Sequence, residues 1–369
     1  MKISDSKIGV VGVGKLGLCY ALSLEENGYH IVAFDKNKKY IECLKNKKLQ
    51  SDEPSVTKKL GLSRSIQFTS DFKKLDSCEI ILIFVNTPSC KDGSYDHSNI
   101  NDVMASMSCL NEKTFRHVVI CSTVMPGFCD DLNKKANNKN ISFYYSPEFI
   151  AQGSIFDDLK NQNIIIGSTD REVPDVIKKL LLSVTRSKKG CHVLELAEAE
   201  IAKIAINSFL TTKITFANFI GDLTREYAGD PQKVLNAVTS DVRINPCYMK
   251  PGFGFGGPCF PRDNKALAVA SKIKNLKPVL PVAIDEANDL HLQYQFDSIL
   301  NKNDKTQVLE FQSVAYKEGT NIIERSQKLE LALKLADNNF KVKVFDNRQT
   351  INKIKSEHPD SKLQFCYTD

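Results

Sequence analysis

The chain has 369 residues, which is enough for two or three domains with substantial cores. Its composition, 42% hydrophobic and 25% charged, is typical of an ordinary soluble globular protein. The net charge of +6 is spread thinly, which suits an anionic small ligand but also follows from a lysine-rich composition. The sequence has no basic helix or arginine–aromatic patch of the kind that binds nucleic acid, so that class of partner is excluded.

The N-terminus, the apolar runs and the cysteines of the chain indicate its cellular compartment. The N-terminal residues lead directly into a predicted strand, so we expect no signal peptide. No apolar run approaches the length that spans a bilayer. The 11 cysteines are scattered and include no Cys-x-x-Cys pair, which favours neither a disulfide framework nor a zinc site. The sequence therefore predicts a cytoplasmic protein without a metal or a membrane segment.

The first predicted elements form a dinucleotide-binding motif. Residues 7–12 read as a buried strand, and residues 30–34 read as a second strand that ends at Asp35. Between them a glycine pattern, Gly-x-Gly-x-x-Gly, opens a helix and consists of Gly12, Gly14 and Gly17. The glycines allow a pyrophosphate to reach the helix N-terminus, where unpaired N–H groups favour negative charge. This order of elements predicts a Rossmann-like domain.

Asp35 indicates which dinucleotide is bound. A carboxylate at this position accepts hydrogen bonds from a ribose diol and repels a 2′-phosphate, so NAD is favoured over NADP. The neighbouring Lys36, Lys38 and Lys39 weaken that preference.

Polar residues follow three further predicted strands, at 79–85, 117–121 and 141–145. In a doubly wound sheet, ligands gather at the carboxyl ends of the strands. Thr87, Thr123 and Glu148 occupy such ends. Turn chemistry is an alternative explanation for the two threonines, whereas a carboxylate directly after an apolar strand has no packing reason to be there.

A long helix is predicted from about Ala197 to Tyr227, because the segment lacks proline and its apolar residues recur every three or four positions. It exceeds the usual globular helix of about 8–20 residues, which suggests a connector or a dimer surface. Lys203 and Asn207 are four residues apart and share a face. A solvated side chain is the ordinary explanation for Lys203, but its apolar neighbours would favour the neutral amine of an active-site lysine.

The segment 252–263 combines four glycines, one cysteine and one carboxylate. The glycines would let a ligand approach the main chain or allow positive φ. Cys259 lies between two prolines, and Asp263 shares its face if the segment continues as a helical turn. The alternative is a glycine-rich surface turn with a bystander thiol.

Taken together, these motifs resemble the nucleotide-sugar 6-dehydrogenases, the UDP-glucose/GDP-mannose dehydrogenase family. The matching motifs are Gly12-x-Gly14-x-x-Gly17, Val85-Asn86-Thr87-Pro88, Ser122-Thr123-Val124, Pro147-Glu148-Phe149, Lys203 with Asn207, the 252–263 segment and Ala315-Tyr316-Lys317. The resemblance implies an α/β fold with three domains: an N-terminal Rossmann-like NAD domain (1–190), a central long-helix dimerisation domain (191–297) and a shortened Rossmann-like nucleotide-sugar domain (298–369). It also implies a metal-free, four-electron oxidation of a sugar C6 alcohol to a carboxylate by two NAD.

The resemblance assigns roles in the two oxidations. Lys203 and Asp263 match the residues that take the hydroxyl proton as hydride leaves for NAD. Cys259 matches a nucleophile that holds the aldehyde as a thiohemiacetal, whose hydride passes to the second NAD to give a thioester. Lys203, and a helix N-terminus if a helix follows Pro261, would favour the thiolate of that cysteine.

Further roles follow from the same resemblance. Glu148 matches the acid/base residue of thioester hydrolysis, with Thr123 and Asn207 orienting water. The implied NAD contacts are Gly12, Gly14, Gly17, Asp35, Thr87 and Thr123. The implied sugar-nucleotide contacts are Phe149, Lys203, Tyr248, Lys250, Phe253, Gly256, Gly257, Lys317 and Arg243. The last of these would reach the neighbouring subunit, which predicts a homodimer; a surface arginine is the alternative.

The C-terminal region departs from the family pattern. Glu310 and Ser313 occupy positions where glycine is usual, and Glu324-Arg325 reverses the family's Arg-Glu order. The chain also ends one strand-and-helix unit before the family's third domain does. We expect UDP-glucose oxidation to UDP-glucuronate, with GDP-mannose or a UDP-N-acetylhexosamine as alternative substrates. A non-catalytic NAD-binding paralogue is the alternative from another functional class.

Overall fold

The computed structural model of the chain describes residues 7–136, 139–187 and 190–368. The chain divides into two compact units, one ending at Lys203 and the other beginning at Ile204. Within these described ranges, no helix has both the length and the apolar character that crossing a bilayer requires.

The first unit is built on an eight-stranded sheet with the order β3-β2-β1-β4-β5-β6-β7-β8. Its strands are β1 Lys7–Val11, β2 His30–Phe34, β3 Ile66–Thr69, β4 Cys78–Ile83, β5 Arg116–Ile120, β6 Ile141–Tyr145, β7 Ile164–Ser168 and β8 Cys191–Glu195. Neighbouring strands are parallel except for the antiparallel pair β6–β7. The order of the first six strands is that of a Rossmann fold, which confirms the predicted Rossmann-like domain.

Helices cover both faces of this sheet, so its central strands are buried on both sides. They are α1 Lys15–Glu26, α2 Lys38–Lys45, α3 Val56–Leu62, α4 Ser98–Ser106, α5 Phe128–Lys135, α6 Ile155–Asn161 and α7 Asp175–Ser183, with 3-10 helices at Phe72–Ser77 and Met107–Cys109. In β4, Ile80 and Leu82 belong to one hydrophobic core and Ile81 and Ile83 to the other. This alternation explains why the strand reads as a continuous apolar run.

The predicted long helix is confirmed as α8, Leu196–Glu226, with 31 residues. It stops where Ala228 adopts a positive φ of 55° and Gly229 follows, which is a common way for a helix to end. The boundary between the two compact units falls within α8, directly after Lys203.

The second unit continues α8 with five more helices and a small sheet. The helices are α9 Pro231–Thr239, α10 Phe260–Ile273, α11 Val279–Lys302, α12 Gln327–Asp337 and α13 Arg348–Glu357, and the strands are β9 Val308–Gln312, β10 Lys341–Asp346 and β11 Gln364–Tyr367. The sheet is parallel with the order β11-β10-β9, and its core includes Leu329, Leu335, Val342 and Ile354. This βαβαβ arrangement has the topology of one half of a Rossmann fold.

Ser313 directly follows β9, at a position where glycine is usual in the family pattern. Its φ of 51° lies in the left-handed region, and its N–H donates to the Phe345 carbonyl at 2.8 Å. The backbone therefore keeps the conformation that glycine favours even though the residue has changed.

Candidate active site

The three glycines after β1 serve three different purposes. Gly12 has a φ of 85°, and a Cβ there would lie 2.7 Å from the Phe84 carbonyl oxygen. A Cβ at Gly17 would lie 2.1 Å from the Gly12 carbonyl oxygen, so this glycine permits close packing of helix on strand. A Cβ at Gly14 would meet nothing within 4 Å. Gly14 is therefore the glycine that leaves space for a ligand beside the main chain.

The start of α1 and the end of β2 fit a dinucleotide. Gly14 is the N-cap of α1, and among the described residues no side chain caps this helix end. Its N–H groups and its dipole therefore favour an anionic group such as a pyrophosphate. Asp35 follows β2 and is half-buried, and its Oδ1 accepts from the Asn37 N–H at 2.9 Å. That turn orients a carboxylate at the strand end, where a ribose diol is bound in this type of domain.

Thr87 and Thr123 are brought together by the ends of β4 and β5. The Thr87 hydroxyl donates to the Thr123 carbonyl at 2.7 Å. The Ser122 hydroxyl donates to the Val85 carbonyl at 2.7 Å and makes a second tie between the same two segments. The two predicted threonines therefore lie together at the carboxyl ends of β4 and β5, and their contact ties the two loops to each other.

Glu148 follows β6 and is only 6% exposed. Burial raises the pKa of its carboxyl to about 7, while the Gln162 amide and the charge of Lys203 act in the opposite direction. Lys203, itself 7% exposed, donates from Nζ to the Glu148 main-chain carbonyl at 2.8 Å. The ammonium also lies 4.8 Å from the centre of the Phe149 ring. The structure therefore gathers these three predicted residues into one cluster.

Asn207 and Asp263 form a second cluster, in the second unit. Asp263 is 1% exposed, and its Oδ2 accepts from the Asn207 Nδ2 at 2.6 Å. The Arg262 Nε donates to the other carboxylate oxygen at 3.3 Å. Such charge-assisted hydrogen bonds compensate a buried carboxylate for lost water.

Cys259 is exposed and is the N-cap residue of α10. A helix does follow it, and the Asp263 N–H donates to the Cys259 carbonyl at 2.8 Å, as one helical turn requires. The Tyr248 ring meets the Phe260 ring edge-on, with centroids 6.2 Å apart. The positive end of the helix dipole favours negative charge at the cysteine position.

The loop before Cys259 is held by side chains that lie far away in the sequence. Asn218 accepts from the Gly252 N–H at 2.8 Å and donates to the Phe253 carbonyl at 3.1 Å. Asn288 makes the same kind of paired contact with the N–H and the carbonyl of Phe255. The Gln327 side chain accepts from the Gly254 N–H. The side chains of His291 and Gln295 contact the Gly252 carbonyl. The Glu324 carbonyl accepts from the Gly257 N–H. Much of this loop's main chain is therefore occupied by the protein itself.

Close packing explains three of the loop glycines. A Cβ at Gly254 would lie 2.2 Å from the Gln327 Oε1, and one at Gly256 would lie 2.0 Å from the Arg325 carbonyl oxygen. Gly257 has a φ of 80°, and its Cβ would be 2.4 Å from the Tyr316 ring. The predicted sugar contacts at Gly256 and Gly257 stay a prediction, and the structure gives these glycines a packing reason of their own.

Two family models match the chain. The NAD binding domain of the UDP-glucose/GDP-mannose dehydrogenase family matches residues 6–184, and the central domain of the same family matches residues 197–290. The chain belongs to the UDP-glucose/GDP-mannose dehydrogenase family. Membership makes it a nucleotide-sugar dehydrogenase with NAD as its cofactor, which the glycine turn and Asp35 fit.

Individual relatives agree with this assignment. The UDP-glucose 6-dehydrogenase TuaD of Bacillus subtilis is 30% identical over 92% of this chain and 76% of its own length. A GDP-mannose 6-dehydrogenase of Pseudomonas aeruginosa is 27% identical over 97% of this chain and 85% of its own. The solved UDP-glucose dehydrogenase of Pyrobaculum islandicum superimposes with a TM-score of 0.86 at 25% identity, covering 98% of this chain and 86% of that one.

The remaining predicted substrate residues of this family member lie in the second unit. Arg243 is exposed and forms an ion pair with Asp241 at 2.6 Å, and Lys250 is exposed as well. Phe253 lies in the glycine loop with the Lys328 ammonium 5.3 Å from its ring centre. Lys317 is half-buried in the turn before α12.

Sequence reasoning missed the residues that support this site. Gln162 binds the Glu148 carboxylate, and Glu53 accepts from the Gly153 and Ile155 N–H groups at 2.7 Å each. The completely buried Glu200 accepts from the N–H groups of Gly127 and Cys129 at the start of α5. One signal was available for Glu200, since a carboxylate among the apolar residues of α8 needs a buried partner.

Proposed function

We propose that this family member oxidises the C6 alcohol of UDP-glucose to UDP-glucuronate. The overall conversion consumes one alcohol, two NAD and one water, and releases one carboxylate, two NADH and three protons. Support comes from the family's chemistry and from the names of the TuaD and Pyrobaculum islandicum relatives. NAD, when bound, would supply the hydride acceptor for each oxidation.

In the first oxidation, Asp263 takes the proton from the C6 hydroxyl through a water as hydride leaves the same carbon, and the Lys203 ammonium stabilises the negative charge that develops on the oxygen. Asp263 is suited to this role because Asn207 and Arg262 hold its carboxylate in one orientation. General acid–base groups of this kind contribute about 10²–10⁴-fold in rate.

The second oxidation uses Cys259. Its thiolate adds to the aldehyde carbon, and the new C–S bond keeps the aldehyde from escaping. Loss of hydride from that carbon then yields a thioester. The position of Cys259 at the N-terminus of α10 supports this role, because the helix dipole favours the thiolate.

Glu148 serves the hydrolysis of the thioester, and its burial after β6 beside the Lys203 ammonium is the observation that carries the proposal. The carboxylate takes a proton from water as the water oxygen bonds to the thioester carbon, and the C–S bond then breaks to regenerate the Cys259 thiolate. A pKa of about 7, raised by burial, suits a group that must both accept and release protons near neutral pH. Thr123 orients the water in this proposal.

A second candidate substrate is GDP-mannose, because a GDP-mannose 6-dehydrogenase matches the chain over nearly the same span as the UDP-glucose enzymes. A UDP-N-acetylhexosamine is a third. The nucleotide would be read by the second unit, where Glu324 and Arg325 depart from the family pattern. The redox chemistry is the same for all three sugars.

We further propose that the enzyme is a cytoplasmic homodimer that pairs through α8. Three aromatic side chains and a leucine of this helix are exposed although they are large and apolar: Phe209, Phe216, Phe219 and Leu223. Their spacing of three, four and seven residues puts them on one stripe. Exposed apolar stripes of this kind are typical of protein interfaces.

Assay of the purified protein with NAD and UDP-glucose, GDP-mannose and UDP-N-acetylmannosamine tests the substrate. We expect the highest kcat/KM with UDP-glucose. A Cys259→Ser variant should retain its fold and the first oxidation but not complete the second. No turnover with any sugar would contradict the enzyme proposal, and full activity of the Cys259→Ser variant would contradict the thioester.

A further inference from the structure

Gln162 lies beside Glu148 and is fixed at both ends of its side-chain amide. It directly follows α6 and is 6% exposed. Its Oε1 accepts from the Phe149 N–H at 3.0 Å, and its Nε2 donates to the Glu148 Oε2. Because a main-chain N–H can only donate, it sets the orientation of the amide and turns the NH₂ group towards the carboxylate.

The main chain of Gln162 is anchored as well. The Thr185 hydroxyl lies 3.0 Å from the Gln162 carbonyl oxygen and 3.1 Å from the Lys160 carbonyl oxygen. The Arg186 N–H donates to the same Lys160 carbonyl at 2.7 Å. The end of α6 is thus tied to the segment after α7, so the amide is held in place before any ligand binds.

The groups around the Glu148 carboxyl come from several elements. Lys203 of α8 supplies the positive charge, while Tyr20 of α1 and Cys121 after β5 are buried titratable groups. Burial, and to a smaller extent the charge of Glu148, raises the pKa of both the Tyr20 hydroxyl and the Cys121 thiol, so these two groups are neutral near pH 7. Among the described residues, the Gln162 amide is the hydrogen-bond donor to this carboxylate.

We propose that Gln162 is a positioning residue for Glu148. Its amide holds the Oε2 of the Glu148 carboxylate, which keeps that carboxylate charged and leaves its Oε1 to take the proton from water. The inference rests on the proposed role of Glu148 in hydrolysis. It follows from the hydrogen bond because a donor to a buried carboxylate stabilises the charged form against burial. Neither the glycine motif nor the Pro147-Glu148-Phe149 motif reveals this residue.

Two variants separate this role from simple packing. Gln162→Leu removes both hydrogen bonds, whereas Gln162→Glu keeps an acceptor for the Phe149 N–H and replaces the donor by a second carboxyl. In Gln162→Glu the two acids would share a proton and titrate as a pair. Gln67→Glu makes the same chemical change at an exposed position of β3 and serves as the control.

The first readout needs no substrate. Infrared difference titration follows the protonation of Glu148, with Glu148→Gln identifying its band. We expect the midpoint to rise by about one to two pH units in both Gln162 variants, and not in Gln67→Glu. An unchanged midpoint in folded Gln162→Glu would overturn the inference, whatever happens to Gln162→Leu.

The second readout is the pH profile of turnover. The acid limb should move to higher pH by the same amount. At pH values well below the midpoint, the rate should therefore fall by about ten- to hundredfold. An acid limb that stays in place while the infrared midpoint moves would also overturn the inference. A wild-type protein that turns over no nucleotide sugar would instead contradict the proposed function, and the infrared titration would still decide what Gln162 does.

Discussion

The ammonium of Lys203 donates to the main-chain carbonyl of Glu148 at 2.8 Å and is almost completely buried. A single lysine therefore fixes the backbone of the residue that follows β6 and supplies a positive charge beside its carboxyl. The same ammonium lies over the Phe149 ring. Backbone position, charge and ring packing at Glu148 thus depend together on one side chain of α8.

Replacing Lys203 by methionine should change the chemistry more than the fold. The nearby charge lowers the pKa of Glu148, so its loss should raise that pKa further above about 7. We expect kcat to fall by about 10²–10⁴-fold and the acid limb of its pH profile to move to higher pH. Steady-state kinetics at several pH values measure both effects.

Lys213→Met is the matched control, because Lys213 lies on the same helix and also donates to a main-chain carbonyl, that of Asn245 at 2.6 Å. Its kcat and pH profile should stay those of the wild type. Equal losses in the two variants would mean that both lysines act only on the structure.

Glu148→Gln should stabilise the fold at high pH but not at low pH. A folded pKa of about 7 against an ordinary value of 4.5 means that the folded state binds more protons than the unfolded state between these limits. Stability must then fall as pH rises through that window, by up to about 3 kcal/mol for this group. The neutral glutamine removes the effect.

Urea unfolding of both proteins at pH 5, 6, 7 and 8 measures this difference. The free energy of unfolding of Glu148→Gln relative to the wild type should increase steadily with pH. A difference that is the same at every pH would contradict a raised pKa for Glu148.

Gly254→Ala should disrupt the loop that carries Cys259. Its Cβ would fall 2.2 Å from the Gln327 Oε1 and 2.3 Å from the Asn288 Oδ1, so two buried hydrogen-bonding side chains would be displaced. We expect a loss of about 1–3 kcal/mol in unfolding free energy. Activity should fall with it, because the loop would no longer hold the thiol in place.

Gly252→Ala is the control for that change, because its Cβ would meet nothing within 4 Å. It should remain within about 0.5 kcal/mol of the wild type. Denaturant titration and NADH formation measure both variants, and similar behaviour of the two would show that the close packing at Gly254 has no effect.

Phe219→Glu should weaken the proposed pairing of two copies through α8. The ring is 61% exposed in the single chain, so a charge there costs the isolated chain little but would be buried in a dimer. Light scattering after gel filtration should find a larger share of monomer than in the wild type. Phe115→Glu, at an exposed position outside α8, is the control and should leave the mass of the particle in solution unchanged. A wild-type protein that is monomeric at all concentrations would contradict the proposed dimer.

Local patterns predicted the elements of this fold well. The glycine turn, the acid at Asp35 and the apolar runs of β4 and β5 are each recognised from a few consecutive residues, and α8 begins and ends one residue from its predicted bounds. The sequence singles out Glu148 because a charged side chain is unexpected just after a strand of apolar residues.

The supporting contacts could not be predicted, because they join distant parts of the chain. Gln327 lies 73 residues from the Gly254 N–H that it binds, and Asn288 lies 33 residues from Phe255. Gln162 is only 14 residues from Glu148, but a polar residue at the end of a helix is common and gives no sign of its partner. The glycines of the loop were read as space for a ligand, whereas at Gly254, Gly256 and Gly257 that space is filled by residues 316–327.

The proposed reaction is a four-electron oxidation that passes through a thioester on Cys259. Its most direct test is the amount of NADH formed when a limiting quantity of UDP-glucose is converted completely with excess NAD. We expect two NADH and one UDP-glucuronate for each sugar consumed, with no aldehyde released. One NADH per sugar, with the aldehyde as the final product, would contradict it.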